Sequence, residues 1–256
     1  MRRALVVAIG CLLVFSCGGA AKVELTICGA ASLSTALDQV KTAYEAAHPG
    51  TTITISTGSS SALRTQIEQG APADVFLSAD TANPQALVDA GSTDGAAVAF
   101  ATNKLTTIVP DGNPAGITTA ADLARAGVRV IAAGDEVPIT KYAGQCVTKL
   151  AALPGYPADF EALYAANVAS REDNVGAVTS KIKLGEGDAA IVYVTDARSA
   201  QLTTVDIPAD ANVVATYAGV VLKRTTSATA AHALLDWVRG ADGQAILSGL
   251  GFSPAP

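Results

Sequence analysis

Short β-branched runs alternate with helical repeats from residue 22 onward, and this alternation constrains the fold more than any other feature of the chain. The strand-like run VELTIC (23–28) precedes a stretch with apolar residues at helical spacing, which Pro49 and Gly50 end. A second strand, TTITIST, a helix, ALRTQIEQG, and a third strand, DVFLS, follow. Three strand–helix steps in succession predict a parallel sheet with helices on its faces.

The pattern continues to the C-terminal end without a repeat, a low-complexity tract or a long linker. Further strands are predicted at KLTTIVP, VRVIAA, AAIVYV and VVATYAGVVLK, and further helices near 84–90, 117–127, 139–153, 158–166, 174–184, 228–240 and 241–251. We predict an α/β fold of two lobes, with the chain crossing between them more than once.

Composition and charge exclude several classes of partner. Half of the 256 residues are apolar, which is enough to bury a core, and only 5% are aromatic. Removal of Arg2 and Arg3 with the leader described below would leave 15 of the 17 basic residues against 23 acidic ones, a net charge of −8. We therefore predict no nucleic-acid partner and no electrostatic attraction to anionic lipid.

The N-terminal segment, MRRALVVAIGCLLVFSCGGAAK, has the layout of a secretory signal and is too short to span a membrane comfortably. Within it, VFSC resembles the lipobox of bacterial lipoproteins, in which the cysteine becomes the acylated first residue. We predict a lipoprotein-type signal peptide over 1–16, lipidation at Cys17 and a tether over 17–21. The protein would then face the periplasm or cell wall, with the lipid anchor as its only membrane contact. The alternative is a cysteine that merely lies in a signal peptide.

Two cysteines and two histidines remain after cleavage. Export permits a disulfide between Cys28 and Cys146, but both lie in apolar periodic runs, so a pair of small buried hydrophobes is at least as well supported. Neither His48 nor His232 has a Cys, Asp or Glu at ligand spacing. We predict no structural metal and no cofactor.

Polar residues at three strand–helix junctions are candidate ligand-binding residues. Ligands of open α/β sheets bind beyond the carboxyl ends of the strands, where helix N-termini offer free N–H groups to an anion. Ser32 follows the first strand, Ser59, Ser60 and Ser61 follow the second, and Asn174 opens a later helix. Each alone is explained by helix capping. Because the first two junctions lie at neighbouring strand ends, they favour a shared site.

Enzymatic readings of these residues find little support. GSSSA does not match the G-x-S-x-G nucleophile elbow, and neither histidine lies in a loop suited to serve a serine as base. The chain has no phosphate-binding G-x-x-x-x-G-K-[ST] loop and no dinucleotide fingerprint. Tyr193 ends a strand, where it is either a core ring or a phenolic donor. We predict that the protein is not an enzyme.

Three segments, AASLSTAL, GSSSALRTQIEQGAPADVFLSAD and GDAAIVYVTDA, resemble segments of the periplasmic molybdate-binding proteins, the substrate-binding components of molybdate ABC transporters. The similarity extends from about Val23 to the GF near the C-terminus, and QIEQGAPADVFLSAD is its most specific part. The resemblance implies a two-lobed periplasmic-binding-protein fold of type II, in which each lobe is a mainly parallel sheet flanked by helices. It also implies a ligand cleft between lobe 1, residues 22–101 plus 212–256, and lobe 2, residues 102–211.

The resemblance further implies a tetrahedral oxyanion held by hydroxyl and backbone N–H donors without a counter-charge. The matching positions are Ser32, Ser60, Ile139 through its backbone, Val175 through its backbone, and Tyr193 through its hydroxyl.

Two departures from the family pattern leave details open. VPITKYA has Ile139 and Thr140 where some members have Ala-Gly or Ile-Gly, so the role of Thr140 is undecided. The serines flanking Ser60 leave its register uncertain by one residue. Arg64 and Lys141 lie near the predicted site, and a solvated helix face is the favoured interpretation for both.

A pocket of donors suits a fully deprotonated dianion, because such an ion has only acceptor atoms. It excludes phosphate, which retains protons near neutral pH, whereas sulfate must be rejected by size and tungstate should be accepted. We predict a monomeric extracytoplasmic solute-binding protein that passes molybdate or tungstate to the permease of an ABC transporter. The alternatives are a binding protein for sulfate, thiosulfate or an organic acid, a secreted serine hydrolase, and a surface lipoprotein whose cleft no longer binds.

Overall fold

The structure, a computed structural model, describes residues 22–256. The predicted signal peptide, the lipidation site Cys17 and the tether lie outside the described residues. The strands are β1 (Val23–Ala30), β2 (Thr51–Gly58), β3 (Val75–Ser78), β4 (Val98–Asn103), β5 (Leu105–Val109), β6 (Val130–Ala133), β7 (Val168–Glu172), β8 (Ala190–Tyr193), β9 (Thr203–Val205) and β10 (Ala215–Val221). The helices are α1 (Ser34–Ala47), α2 (Ser60–Glu68), α3 (Ala82–Asp89), α4 (Pro138–Ala151), α5 (Phe160–Asn167), α6 (Val175–Lys183), α7 (Val194–Ala200), α8 (Ala228–Arg239) and α9 (Ala241–Gly249).

The first sheet has the strand order β2-β1-β3-β10-β4. β1 pairs in parallel with β2 and β3, whereas β10 is antiparallel to both of its neighbours. The β1–β2 register places Ala30 opposite Gly58, so the carboxyl ends of these strands are level. The segments that follow them, which carry Ser32 and Ser60, therefore leave the sheet at the same edge.

The second sheet repeats this arrangement in a different part of the chain. β8, β5 and β9 form an antiparallel ladder, β6 and β7 pair in parallel, and a parallel bridge from Val130 to Ala189 joins the two groups. The resulting order is β7-β6-β8-β5-β9, and only β5 runs against the others. In each sheet the reversed strand is the one that the chain enters from the other sheet. The predicted α/β fold is confirmed; both sheets are mixed, with four strands running in one direction and one strand reversed.

The two chain crossings between the sheets lie side by side. β4 and β5 are separated by Lys104 alone, and the return segment passes through Asn212. The Asn212 side chain accepts from the N–H of Leu105 at 3.0 Å and donates to its carbonyl at 2.8 Å. This pair of hydrogen bonds ties the outgoing crossing to the returning one.

The helix predicted over 117–127 is wrong, since only a short 3₁₀ turn forms at Ala120–Ala124. Thr119 and Asp122 form a capping box around this single turn, but the backbone is already extended at Arg125. Gly127 follows at a φ of 84°, so the turn cannot continue into an α-helix. No helix among the described residues is both long enough and apolar enough to cross a bilayer.

Cys28 and Cys146 do not form a disulfide. Both are free and buried, one in β1 and the other in α4. Burial raises the pKa of each thiol, that of Cys146 to about 11. They therefore behave as small buried hydrophobic residues, which was the alternative to a disulfide.

Candidate oxyanion-binding site

A small cavity lies where the ends of β1 and β2 meet the first residues of α4 and α6. Its volume is about 210 Å³, counting the open space at its mouth. Its lining includes all five residues that the family resemblance implied for an oxyanion site: Ser32, Ser60, Ile139, Val175 and Tyr193. The remaining lining residues are Ala30, Ala31, Gly58, Ser59, Ala79, Val137, Pro138 and Asn174. The first sheet and the second sheet thus contribute to one cavity.

Ser32 lies in the 3₁₀ turn Ala31–Leu33 that joins β1 to α1. Its hydroxyl is 2.9 Å from the hydroxyl of Tyr217, a buried residue of β10. The Nδ2 of Asn103 donates to the same tyrosine oxygen over a longer 3.5 Å. Because the Tyr217 oxygen already accepts from Asn103, its own proton can point at Ser32. The Ser32 hydroxyl proton is then available to a ligand.

Ser60 is the first residue of α2, which begins two residues earlier than the sequence pattern predicted. Its side chain is 1% exposed, and its oxygen accepts from the N–H of Ala79 at 3.0 Å. Since the backbone N–H occupies the acceptor, the Ser60 proton is free to donate. Ser59 is the N-cap and also lines the cavity, whereas Ser61 bonds to the Ser59 hydroxyl at 2.8 Å and lies outside the lining.

The N-termini of α4 and α6, the helices that follow β6 and β7 of the second sheet, present backbone donors. Ile139 and Val175 lie in the first turns of α4 and α6, where N–H groups have no partner within the helix. Pro138 opens α4 and supplies no N–H, which fits the first helical position. Asn174 caps α6 by accepting from the N–H of Ala177 at 3.0 Å, as the sequence predicted.

Thr140, whose role the sequence left undecided, does not line the cavity. Its hydroxyl donates to the carbonyl of Ala133 at 3.0 Å, and its N–H donates to the carbonyl of Val137 at 3.0 Å. The first contact holds the start of α4 against β6, and the second closes the first turn of α4 on its N-cap Val137. Thr140 therefore fixes the turn that carries Ile139.

Tyr193 ends β8 and places a hydroxyl that has no hydrogen-bond partner within the described protein. Its side chain is 1% exposed, and its ring lies 5.7 Å from that of Tyr217 and 6.3 Å from that of Tyr142. Burial raises its pKa well above the ordinary value, so the group is a neutral donor. A buried polar group without a partner destabilises a protein by ~1 to 3 kcal/mol. A ligand that accepts this proton would remove that penalty.

No charged side chain lines the cavity. Arg64 bonds to Glu68 at 2.7 Å and to Asn83 at 2.9 Å, and it lines an adjoining groove that shares Ser59 and Val137 with the cavity. Lys141 is exposed on α4 and absent from the lining. The charge balance of any bound anion must therefore come from neutral dipoles, as the family resemblance implied.

Neither histidine of the chain is near the cavity serines. The His48 ring stacks on Tyr44 with a centroid separation of 3.9 Å, and the Nε2 of His232 is 3.0 Å from a carboxylate oxygen of Asp94. Within residues 22–256, no group of three or more His, Cys, Asp or Glu side chains could hold a metal ion. The serine-hydrolase alternative would therefore have to use a base other than these two histidines.

Several polar residues directly behind the cavity were missed by the sequence reasoning. They are Asn103, Thr195, Asp196 and Tyr217. In the sequence they lie inside or beside apolar strand runs, where nothing distinguishes them from core or capping residues. Only the pairing of β10 with β4 brings Tyr217 next to Asn103.

Comparison with known proteins places this architecture in a family. The model of the bacterial extracellular solute-binding proteins matches residues 25–253. The molybdate-binding protein ModA of Mycobacterium tuberculosis is 36% identical over 232 residues, which cover 90% of this chain and 84% of that protein.

Two solved structures share the fold. The periplasmic molybdate-binding protein of Azotobacter vinelandii superposes with a TM-score of 0.78 at 24% identity, covering 91% of this chain and all of that one. The sulfate-binding protein SubI of Mycobacterium tuberculosis gives a TM-score of 0.80 at 22% identity, covering 91% and 87%. These likenesses confirm the predicted two-lobed periplasmic-binding-protein fold. The chain belongs to the bacterial extracellular solute-binding proteins, the family that it shares with the molybdate-binding proteins.

Proposed function

We propose that this protein captures molybdate outside the cell membrane and delivers it to the permease of an ABC transporter. The observation that carries the proposal is that all five proposed donor residues line one uncharged cavity, with the Tyr193 hydroxyl buried and unpartnered among the described residues. The 36% identity to a molybdate-binding protein supports the same ligand.

The donor set selects for protonation state. Hydroxyls and backbone N–H groups can donate to every oxygen of a bare dianion, whereas a protonated oxyanion also needs an acceptor. Molybdate and tungstate meet this requirement and are close in size, so both should bind. Sulfate meets it too but is smaller, so its oxygens would not reach all five donors together. Phosphate retains a proton that the proposed donor set leaves unpaired.

The proposal includes a two-lobed mechanism. Lobe 1 comprises residues 22–101 plus 212–256 and carries Ser32 and Ser60, while lobe 2 comprises residues 102–211 and carries the other three donors. The lobes would close on the ligand about the adjacent crossings. Cys17, once acylated, would tether a monomer to the membrane. The protein would act by binding alone, without a cofactor or a catalytic step.

Titration calorimetry of the mature chain against molybdate, tungstate, sulfate and phosphate tests the proposal. We expect molybdate and tungstate to bind about equally, sulfate to bind at least about tenfold more weakly, and phosphate to give no heat. A preference for sulfate would assign the protein to another oxyanion. The absence of binding to any of the four ions would contradict an oxyanion carrier altogether.

A further inference from the structure

A buried polar cluster lies behind the cavity and joins the two sheets. We call it the rear cluster; it consists of Asn103, Tyr193, Thr195, Asp196 and Tyr217. The Nδ2 of Asn103 donates to the Thr195 hydroxyl at 2.8 Å and to the Tyr217 hydroxyl at 3.5 Å. Tyr217 bonds to Ser32, and Tyr193 lines the cavity directly. The rear cluster is therefore in contact with the proposed ligand donors.

Asp196 is the one carboxyl group of the rear cluster, and the binding site described above does not use it. It lies in the first turn of α7, is 8% exposed, and has a buried Oδ2 without a hydrogen-bond partner in the described chain. Burial raises the pKa of Asp196 to about 7, and the nearby N–H of Tyr193 opposes this only in part. Burial is also the main reason that the pKa values of Tyr193 and Tyr217 are high, and the charge of Asp196 raises both further.

The ionisable groups on the elements around α7 do not neutralise this carboxyl. β8 contributes Tyr193, β10 contributes Tyr217, and β5 contributes none, although Lys104 precedes it. On α6, Lys183 reaches the carbonyl of Ala200 at the far end of α7, at 3.3 Å. Lys181, also on α6, is paired with Glu172 at 2.8 Å, and Arg198 of α7 itself lies against Gly251. Residues 22–256 provide no ion pair for Asp196.

A dianion in the cavity would introduce two negative charges next to Tyr193, and the described cavity lining contains no cation to offset them. Charges of the same sign repel strongly in a buried site of low effective dielectric constant. The ionised form of Asp196 therefore disfavours the bound dianion, whereas its neutral form does not. Ligand affinity and the protonation of Asp196 must therefore be linked. Protonation of Asp196 raises the affinity for the dianion, and binding of the dianion raises the proton affinity of Asp196 by the same factor.

We infer that Asp196 takes up a proton when the cavity binds a dianion, so that oxyanion and proton are captured together. Asp196 acts here as a positioning residue for charge and does not contact the ligand. This inference rests on the proposed function, since it needs a dianionic ligand in the cavity.

Calorimetry with molybdate at about pH 6 and about pH 8 tests the linkage. Below its own pKa the carboxyl is already neutral, and above it each binding event must protonate it, so the Kd should rise about tenfold over this interval. In two buffers of different ionisation enthalpy near pH 7, the heats should report an uptake of about half a proton per molybdate. The Asp196→Asn variant should bind with the low-pH Kd at both values and take up no proton. The Asp210→Asn variant removes an exposed carboxyl from the segment between β9 and β10 and should behave as the wild type.

The outcomes separate the two claims. Equal Kd values for the wild type at both pH values and no proton uptake would overturn the role of Asp196 while molybdate binding stands. Uptake that persists in Asp196→Asn would assign the proton to another group and would overturn it as well. Failure of molybdate to bind at either pH would instead refute the proposed function. If Asp196→Asn does not fold, the buffer comparison on the wild type decides whether a proton is taken up.

Discussion

At the scale of single residues, we expect the Tyr193 hydroxyl to contribute to ligand binding but not to the stability of the unliganded protein. It is buried and has no partner within residues 22–256, so its removal deletes no hydrogen bond of the protein. We expect Tyr193→Phe to leave the free energy of unfolding unchanged or slightly higher. The same change should weaken molybdate binding by ~1 to 3 kcal/mol, roughly five- to 150-fold, because one donor to the dianion is lost. Calorimetry and urea unfolding without ligand measure the two effects.

Tyr156→Phe is the matched control, since it removes a phenolic hydroxyl that lies outside the cavity lining. It should alter neither quantity by more than about 0.5 kcal/mol. A Tyr193→Phe protein that binds molybdate as tightly as the wild type would show that the hydroxyl does not contact the ligand.

Which residues line the cavity was predictable from the sequence only where a family motif specifies them. The resemblance named Ser32, Ser60 and Tyr193, and the structure brings them to one cavity. It could not name Asp196 or Tyr217, because their significance depends on burial and on neighbours from distant strands. The sequence alone does not reveal a buried carboxyl without a partner, since an exposed aspartate near the start of a helix has the same sequence pattern.

At the scale of elements, the N-terminus of α6 combines a structural cap with a wall of the cavity. Asn174 caps the helix through Ala177 and also lines the cavity. Asn174→Ala should destabilise the protein by ~0.5 to 2 kcal/mol through loss of the cap. Asn174→Asp retains the capping oxygen and adds a charge that suits a helix N-terminus, so stability should be maintained. The same carboxylate would face the dianion and repel it. Molybdate affinity should therefore fall at least tenfold, which corresponds to about 1.4 kcal/mol.

Urea unfolding and molybdate titration of both variants distinguish these contributions. Of the two variants, Asn174→Ala should be the less stable, whereas Asn174→Asp should bind molybdate more weakly. Equal molybdate affinities for Asn174→Asp and the wild type would mean that the cavity at α6 is not the anion site.

Elements bounded by turn residues were predicted well, and elements without such boundaries were not. α1, α4, α8 and the strands β1 to β3 follow the predicted positions closely. β4 was missed because Lys104 alone separates it from β5, so no turn signal marks the crossing. α7 was missed for the same reason, since it begins at Val194 directly after β8. The short strands β7 and β9 owe their structure to pairing with β6 and β5 and have little periodicity of their own.

At the scale of the whole molecule, the donors are divided between two similar halves that the chain crosses twice. Ser32 and Ser60 follow strands of the first sheet, while Ile139, Val175 and Tyr193 belong to elements of the second. The halves approach closely at the cavity: a side chain at Gly176 would lie 3.9 Å from the Cβ of Ala31. A ligand bound by both halves stabilises this closed arrangement over any more open one, because only the closed form completes the donor set.

We therefore expect molybdate to compact the protein in solution. Small-angle scattering should give a smaller radius of gyration with saturating molybdate than without it, and hydrogen exchange should slow at the starts of α2, α4 and α6. The crossing segments near Lys104 and Asn212 should change little, since the Asn212 side chain bonds to Leu105 whether or not the halves separate. Tyr193→Phe at the same molybdate occupancy provides the control, because it lacks a donor of the second half and should compact less. If scattering and exchange are identical with and without molybdate, the two halves already form a rigid unit, and ligand selection must occur without closure.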